Sequence, residues 1–100
     1  MILTYYDLPR MTVVLNSGNK GPHVRLDISL EVAKKDLPLV EGYQPHMIEK
    51  LNNFFVTVDP ERMQQAMYMP WLHTEMLKQI NSVGATAPVH DVFFRQMLIM

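Results

Sequence analysis

Four histidines, His23, His46, His73 and His90, are the residues best suited to metal or acid–base chemistry. Their spacing gives that chemistry little support. No two are close in sequence, and the chain has no cysteine, so thiolate ligands, thiol nucleophiles and disulfides are all excluded. His23 with Asp27, and His46 with Glu49, can each share a face, but a pair is two ligands short of a tetrahedral site. The neighbours His90 and Asp91 would point to opposite faces of a strand. Serines stand at 17, 29 and 82, none inside a Gly-x-Ser-x-Gly elbow. Gly18 and Gly21 precede no helix start, so they make no phosphate cradle. The ten carboxylates are scattered, and the reading is of a protein without catalytic, cofactor-binding or metal-binding residues.

Surface chemistry is what remains. Met63, Met67, Tyr68, Met69 and Trp71 crowd one stretch around Pro70. Methionine and tryptophan suit adaptable partner surfaces, and they equally suit a core beneath a helix break. Tyr5, Tyr6 and Leu8 stand in an otherwise irregular opening segment and need cover, from their own domain or from a neighbouring subunit. These eight residues are the candidate subunit and partner interface.

The elements that must position them follow from periodicity. Residues 1–10 read as an extended lead-in, and 11–100 as a single domain. MTVVLN (11–16) is a short β-rich run, and SGNKGP (17–22) carries turn chemistry. In HVRLDISLEVA, Val24, Leu26, Ile28, Leu30 and Val32 alternate with polar residues, which predicts a strand with one face in the core and one in water. The two runs form an antiparallel hairpin. Val40, Tyr43, Met47, Leu51, Phe54, Phe55 and Val58 then recur at intervals of mostly three and four, the stripe of an amphipathic helix. Pro45 inside it predicts a kink eased by Gly42, or a helix beginning near Pro45. Asp59-Pro60-Glu61 reads as the start of a short helix that Pro70 interrupts. A last helix is predicted from about Trp71 to Val83, with Leu72, Met76, Ile80 and Val83 inward and Gly84 as its stop.

The final run, PVHDVFFRQMLIM, fits a helix face or a strand. Its Val, Phe and Ile content, Pro88, and a hairpin in need of a third strand favour a strand, placed centrally because both faces are apolar. The fold class is therefore α+β, a three-stranded, largely antiparallel sheet packed on two or three helices.

Composition agrees with such a domain: 100 residues, 48% hydrophobic, 19% charged, with a net charge of −1. No basic cluster exists, which argues against nucleic acid as a partner. No apolar stretch approaches the roughly 20 residues that cross a bilayer. Met1-Ile2-Leu3 is too short for a signal peptide. The chain is thus either cytoplasmic or a domain cut from its membrane anchor.

Taken in order, YYDLPRMTVVLNS, HVRLDISLEVA, QPHMIEKLNNFF, LHTEMLKQINSV and VHDVFFRQMLIM resemble the FliL family of flagellar basal-body-associated proteins. The most specific piece is the end: Val89, Asp91, Val92 and Phe94, then Leu98 to Met100. The second is Leu8-Pro9 with Thr12-Val13 to Leu15, and the third is the alternating strand. The resemblance covers nearly the whole chain. It implies a periplasmic domain over 11–100 similar to the stomatin-type (SPFH) domain, with 1–10 as its membrane-proximal lead-in, from a single-pass inner-membrane protein whose N-terminal helix is missing here. It also implies association with the A and B subunits of the flagellar stator, chiefly the periplasmic part of B, and assembly into a ring that supports stator activity and motility. It brings no catalytic residues and no cofactor. The alternative reading is a small soluble ligand- or protein-binding α+β domain unrelated to the motor, with the Met/Trp patch as its pocket.

Overall fold

The computed structural model describes residues 1–15, 22–84 and 88–100. In chain order the elements are β1 (Leu3–Asp7), β2 (Met11–Val14), β3 (His23–Ala33), α1 (Leu37–Phe55), α2 (Met69–Asn81) and β4 (Val89–Ile99). The architecture is α+β as predicted, with a fourth strand added. The opening segment is more than a lead-in. Leu3–Asp7 pairs antiparallel with Ser29–Ala33 of β3, while β2 pairs with the other end of β3, from His23 to Leu26. Between β1 and β2, the Leu8 N–H donates to the Ile28 carbonyl at 2.9 Å, so the crossing stays tied to β3. All but Pro22 of the loop predicted at 17–22 lies outside the described residues.

β3 is the spine of the sheet. Its apolar row, Val24, Leu26, Ile28, Leu30 and Val32, is at most 1% exposed. Both helices pack on that face. α1 contributes Val40, Met47, Leu51, Phe54 and Phe55, and α2 contributes Leu72, Met76 and Ile80 at successive turns. At roughly 1.5–3 kcal/mol for each fully buried aliphatic or aromatic side chain, this one interface supplies the main driving force for folding.

α1 begins at Leu37, well before Pro45, with Pro38 in its first turn, where the missing N–H costs nothing. The helix continues through Pro45. Glu41, whose carbonyl loses its usual donor there, lies on the exposed side with Pro45, so water reaches that end of the ladder.

Three predictions are corrected between the helices and at the end of α2. No α-helix starts at Asp59. The Asp59 carboxylate accepts from the Glu61 N–H at 2.9 Å, but the chain forms only short 3-10 turns at Arg62–Gln64 and Ala66–Tyr68. Gln65, in an extended conformation, separates them. Pro70 does not interrupt a helix but sits in the first turn of α2. Gly84 follows α2 without adopting a left-handed conformation. Its role is close approach: a Cβ there would lie 2.7 Å from Cζ of Tyr43.

β4 pairs antiparallel with β3 from Val24↔Ile99 to Val32↔Val89, but it does not lie at the centre of the sheet. Among the described residues no strand pairs with its other side, so it is an edge strand. Register shifts between Asp27 and Ile28 and between Glu31 and Val32 leave Arg95 and His90 as extra residues in β4. Val89, Val92, Phe94, Met97 and Ile99 consequently stand opposite the core row of β3.

Candidate functional site

The sheet face turned away from the helices is polar in sequence, yet its middle is covered. Asp27 is 8% exposed and Ser29 is 6% exposed. Arg10, at the crossing between β1 and β2, reaches over Asp27 in a two-pronged ion pair, with Nε to Oδ1 and Nη2 to Oδ2 both at 3.0 Å. This fork geometry is the strong form of a charge-assisted hydrogen bond. Hydrogen bonding to Arg10, opposed by partial burial and aided by the arginine charge, holds the Asp27 carboxyl below its usual range. Ser29 donates its hydroxyl to Asp7, and Arg95 stands 3.4 Å from the same carboxylate. Tyr5 and Phe93, from the strands on either side of β3, meet edge to face with ring centroids 5.9 Å apart. The outer face is therefore a charged network bordered by two exposed aromatic rings.

The eight predicted interface residues divide sharply. Leu8 and Met63 belong to the core, at 2% and 4% exposure, and their side chains are spent there. Tyr6 points to the helix side, half-buried, and donates its hydroxyl to Gln44 of α1; burial, with Glu41 nearby, raises its pKa. Tyr68 and Met69 are half-buried and packed against the core. Burial likewise raises the Tyr68 pKa. Three residues face solvent: Tyr5, Met67 at 92% exposure, and Trp71. Trp71 is held from two sides, stacked on Tyr68 at 4.8 Å and tilted against Phe54 at 6.0 Å. A fixed indole of this kind suits an interface anchor, because little freedom is lost when a partner covers it.

Sequence reasoning placed Tyr5 and the Met/Trp stretch in separate patches, and one missed residue links them. Phe93 touches Tyr5 on the outer face and also lines an open groove of about 510 Å³. That groove runs between β4 and the start of α2, with Ala66, Met69, Pro70 and His73 on its helical wall. The excess of apolar residues in the final run was the signal available for Phe93.

Two side chains of α2 tie it to β4, His73 at the groove and Asn81 at the far end of the helix. The Asn81 amide accepts from the Val89 N–H at 3.1 Å and donates to the Val89 carbonyl at 2.9 Å. About two turns earlier in α2, His73 Nε2 lies 2.6 Å from Oδ1 of Asp91, an oxygen that also accepts from the Val92 N–H. His73 thus has a structural partner 18 residues away, a pairing no local spacing reveals. The other three histidines are exposed, and among the described residues no group of three metal-ligating side chains forms.

The family model described as flagellar basal body-associated protein FliL matches residues 5–99. No curated protein matches the sequence. The match begins inside β1, ends at the last residue of β4, and takes in the other strands and both helices whole. The chain belongs to the FliL family of flagellar basal body-associated proteins.

Proposed function

We propose that this domain is a non-enzymatic accessory of the flagellar motor that associates with the stator and assembles into a ring supporting stator activity and motility. The observation that carries the reading is the family match over residues 5–99. In this reading the domain is periplasmic and stomatin-like, and its parent protein is anchored in the inner membrane by one N-terminal helix. The ring surrounds the periplasmic part of the stator B subunit. Subunits meet head to tail, an arrangement that closes into a ring when the rotation permits.

Tyr5 on one subunit and the Met67–Trp71 surface of the next are the proposed contacts. Their solvent-facing side chains support this choice, whereas Leu8 and Met63 are too deeply buried to take part. Such contacts are weak in dilute solution and become sufficient when a membrane confines neighbours and raises their effective concentration. The isolated domain is accordingly monomeric at micromolar concentration, and sedimentation showing a tight dimer would contradict this assembly mode.

The test places Tyr5→Ala and Met67→Ala in the full-length, membrane-anchored protein. Both side chains are exposed, so the melting temperature of the domain should hardly change. Swimming in soft agar and co-purification of stator subunits should both fall. Normal motility with normal stator recovery in both variants would remove these surfaces from the ring.

A further inference from the structure

β4 leaves one flank of the sheet open, and its ladder to β3 shows which backbone groups stand there. The Met100 N–H donates to the His23 carbonyl at 2.8 Å, and bonded residues alternate along an antiparallel ladder. The residues of β3 that bond to β4 are therefore His23, Arg25, Asp27, Ser29 and Glu31. Ile28 turns the other way, as this alternation requires, and its carbonyl accepts from the Leu8 N–H. In β4, Phe93 opposite Ser29 and Asp91 opposite Glu31 thus face β3. Val92 and Phe94, opposite Leu30 and Ile28, turn their N–H and C=O to the open flank. Among the described residues one of those four groups is taken: the Val92 N–H donates to Oδ1 of Asp91 at 2.8 Å. The Asn81 amide closes the flank at Val89, and the bulge at Arg95 ends the regular strand. The stretch able to pair is Val92 to Phe94.

The open N–H and C=O groups of an extended strand are complementary to a second extended strand. The side chains specify which one. Asp91, Phe93 and Arg95 stand at every second position, an acid, an aromatic ring and a base. This run is its own complement when reversed. With a two-fold axis at Phe93, antiparallel pairing sets Phe93 opposite Phe93 of a second copy, and Asp91 and Arg95 each opposite the other. Opposite charges and aromatic rings on directly opposed residues are stabilising combinations in a sheet. Moving the axis one residue either way loses both ion pairs. The groups concerned are accessible. Oδ1 of Asp91 serves His73 and Val92, which leaves Oδ2 to meet a guanidinium. Arg95 is half-exposed, and its contact with Asp7 is a long one at 3.4 Å. On the helix side, Phe94 of the second copy comes opposite Val92, where the groove of about 510 Å³ beside Met69 and Pro70 has room for it. Tyr5, already edge to face with Phe93, extends the central aromatic pair on both sides.

We propose that β4 is a self-recognition edge: two copies of this chain pair antiparallel through Val92–Phe94 about a two-fold axis at Phe93, joining their sheets into one. This contact is distinct from the head-to-tail contact proposed for the ring, and it does not rest on the stator reading. It is weak, because Asp91 already holds the Val92 N–H. Each copy adds a single backbone hydrogen bond, from its Phe94 N–H to the Val92 carbonyl of the other. A contact this small dissociates at about 0.1–1 mM, so the domain remains monomeric at micromolar concentration.

Sedimentation equilibrium of the 100-residue chain from about 20 µM to about 2 mM should show a monomer–dimer equilibrium with that dissociation constant. Over the same range, amide nuclear magnetic resonance signals should shift at Val92, Phe93 and Phe94 and stay fixed in α1. Arg95→Asp opposes two carboxylates at each end of the pair and should raise the dissociation constant about tenfold or more. Asp91→Arg opposes two guanidinium groups and should do the same. An equimolar mixture of these two variants restores opposite charges and should associate more tightly than either variant alone. Phe93→Lys, at a position 40% exposed, sets like charges at the axis and should abolish association with little change in melting temperature. Asp91→Arg also gives up the His73 contact, and if it fails to fold, Arg95→Asp and Phe93→Lys carry the test. The proposal is overturned by a dimer that both of these variants leave unchanged, or by shifts that lie away from β4. A chain that stays monomeric at about 2 mM also overturns it, and leaves the edge to a strand of another protein.

Discussion

Asn81→Ala tests how β4 is held to the helical layer. Val89 is 3% exposed, and its N–H and carbonyl both find their partner in the Asn81 side-chain amide, at 3.1 and 2.9 Å. Removing the amide leaves one donor and one acceptor of the backbone unpaired at the start of an edge strand. An orphaned buried group costs about 1–3 kcal/mol. Because Asn81 is itself only half-buried, water can reach part of the vacated space, and a combined loss of about 2–4 kcal/mol is expected. A domain of this size has roughly 5–15 kcal/mol in total, so the melting temperature should fall by about 10 °C or more. Urea unfolding followed by far-ultraviolet circular dichroism measures the loss directly. Asn81→Asp is the informative companion: at neutral pH it keeps an acceptor for the Val89 N–H but sets a carboxylate oxygen against the Val89 carbonyl oxygen, so its loss should be at least as large and should ease as the carboxylate is protonated. If Asn81→Ala fell within about 0.5 kcal/mol of the parent, β4 would be anchored by β3 pairing alone and the argument would be wrong.

Ile28→Asp places an unpaired carboxylate at a position 1% exposed in the centre of β3, which should cost several kcal/mol of the roughly 5–15 available; a soluble, cooperatively melting variant would refute the sheet assignment. The two described glycines should respond in opposite directions. Gly84→Ala puts a methyl 2.7 Å from Cζ of Tyr43, the far end of a half-buried side chain that must swing aside, and should destabilise by about 1 kcal/mol, whereas a Cβ at Gly42 in α1 meets nothing and Gly42→Ala should stabilise by about 0.5–1 kcal/mol in thermal melts. Asp27→Asn should lower stability at neutral pH. The Asp27 carboxyl titrates lower folded than unfolded, so its contribution is complete above the ordinary carboxylate range and disappears as pH falls through the folded value. The stability difference between parent and Asp27→Asn, followed by urea unfolding from neutral pH down to pH about 3, should therefore shrink towards zero, and a constant difference would refute the assignment.

The parts of the fold legible in the sequence are those where one period governs one buried face. The β3 row is uninterrupted at period two and packs against helices on one side only, so its alternation identified strand and core together. The α1 and α2 stripes were equally plain because each helix buries a single face. β4 was not. Its core-facing residues are spaced three, two, three and two apart, because two bulges each insert a residue, and neither period fits such a row. The same bulges mixed the apolar residues of both faces into one run, which made an edge strand resemble a central one. At Asp59 the local capping chemistry was real, yet Met63 turns into the core and Gln65 extends, so the start signal yields only a 3-10 turn.

The candidate surface was legible in residue type and not in residue identity. Aromatic and methionine side chains mark both cores and contacts, and spacing separates the two only inside regular elements. Leu8 and Met63 lie in irregular segments, where a single backbone bend decides between core and solvent. In each case the bend turns them inward. The edge of β4 shows the same principle at the level of the backbone. Asn81 occupies the polar groups of Val89, Asp91 occupies the N–H of Val92, and a bulge at His90 breaks the ladder within the first half of the strand, with a second bulge at Arg95 just past its midpoint. Such devices protect an edge from indiscriminate pairing. Beyond them, Leu98, Ile99 and Met100 remain between 39% and 53% exposed, and in the remaining stretch from Phe93 only Arg95 is charged. The apolar end of the chain is thus neither wholly core nor free. Its first half is fastened to α2 by side chains that no periodicity could reveal, and its second half lies against β3 with one flank still facing water.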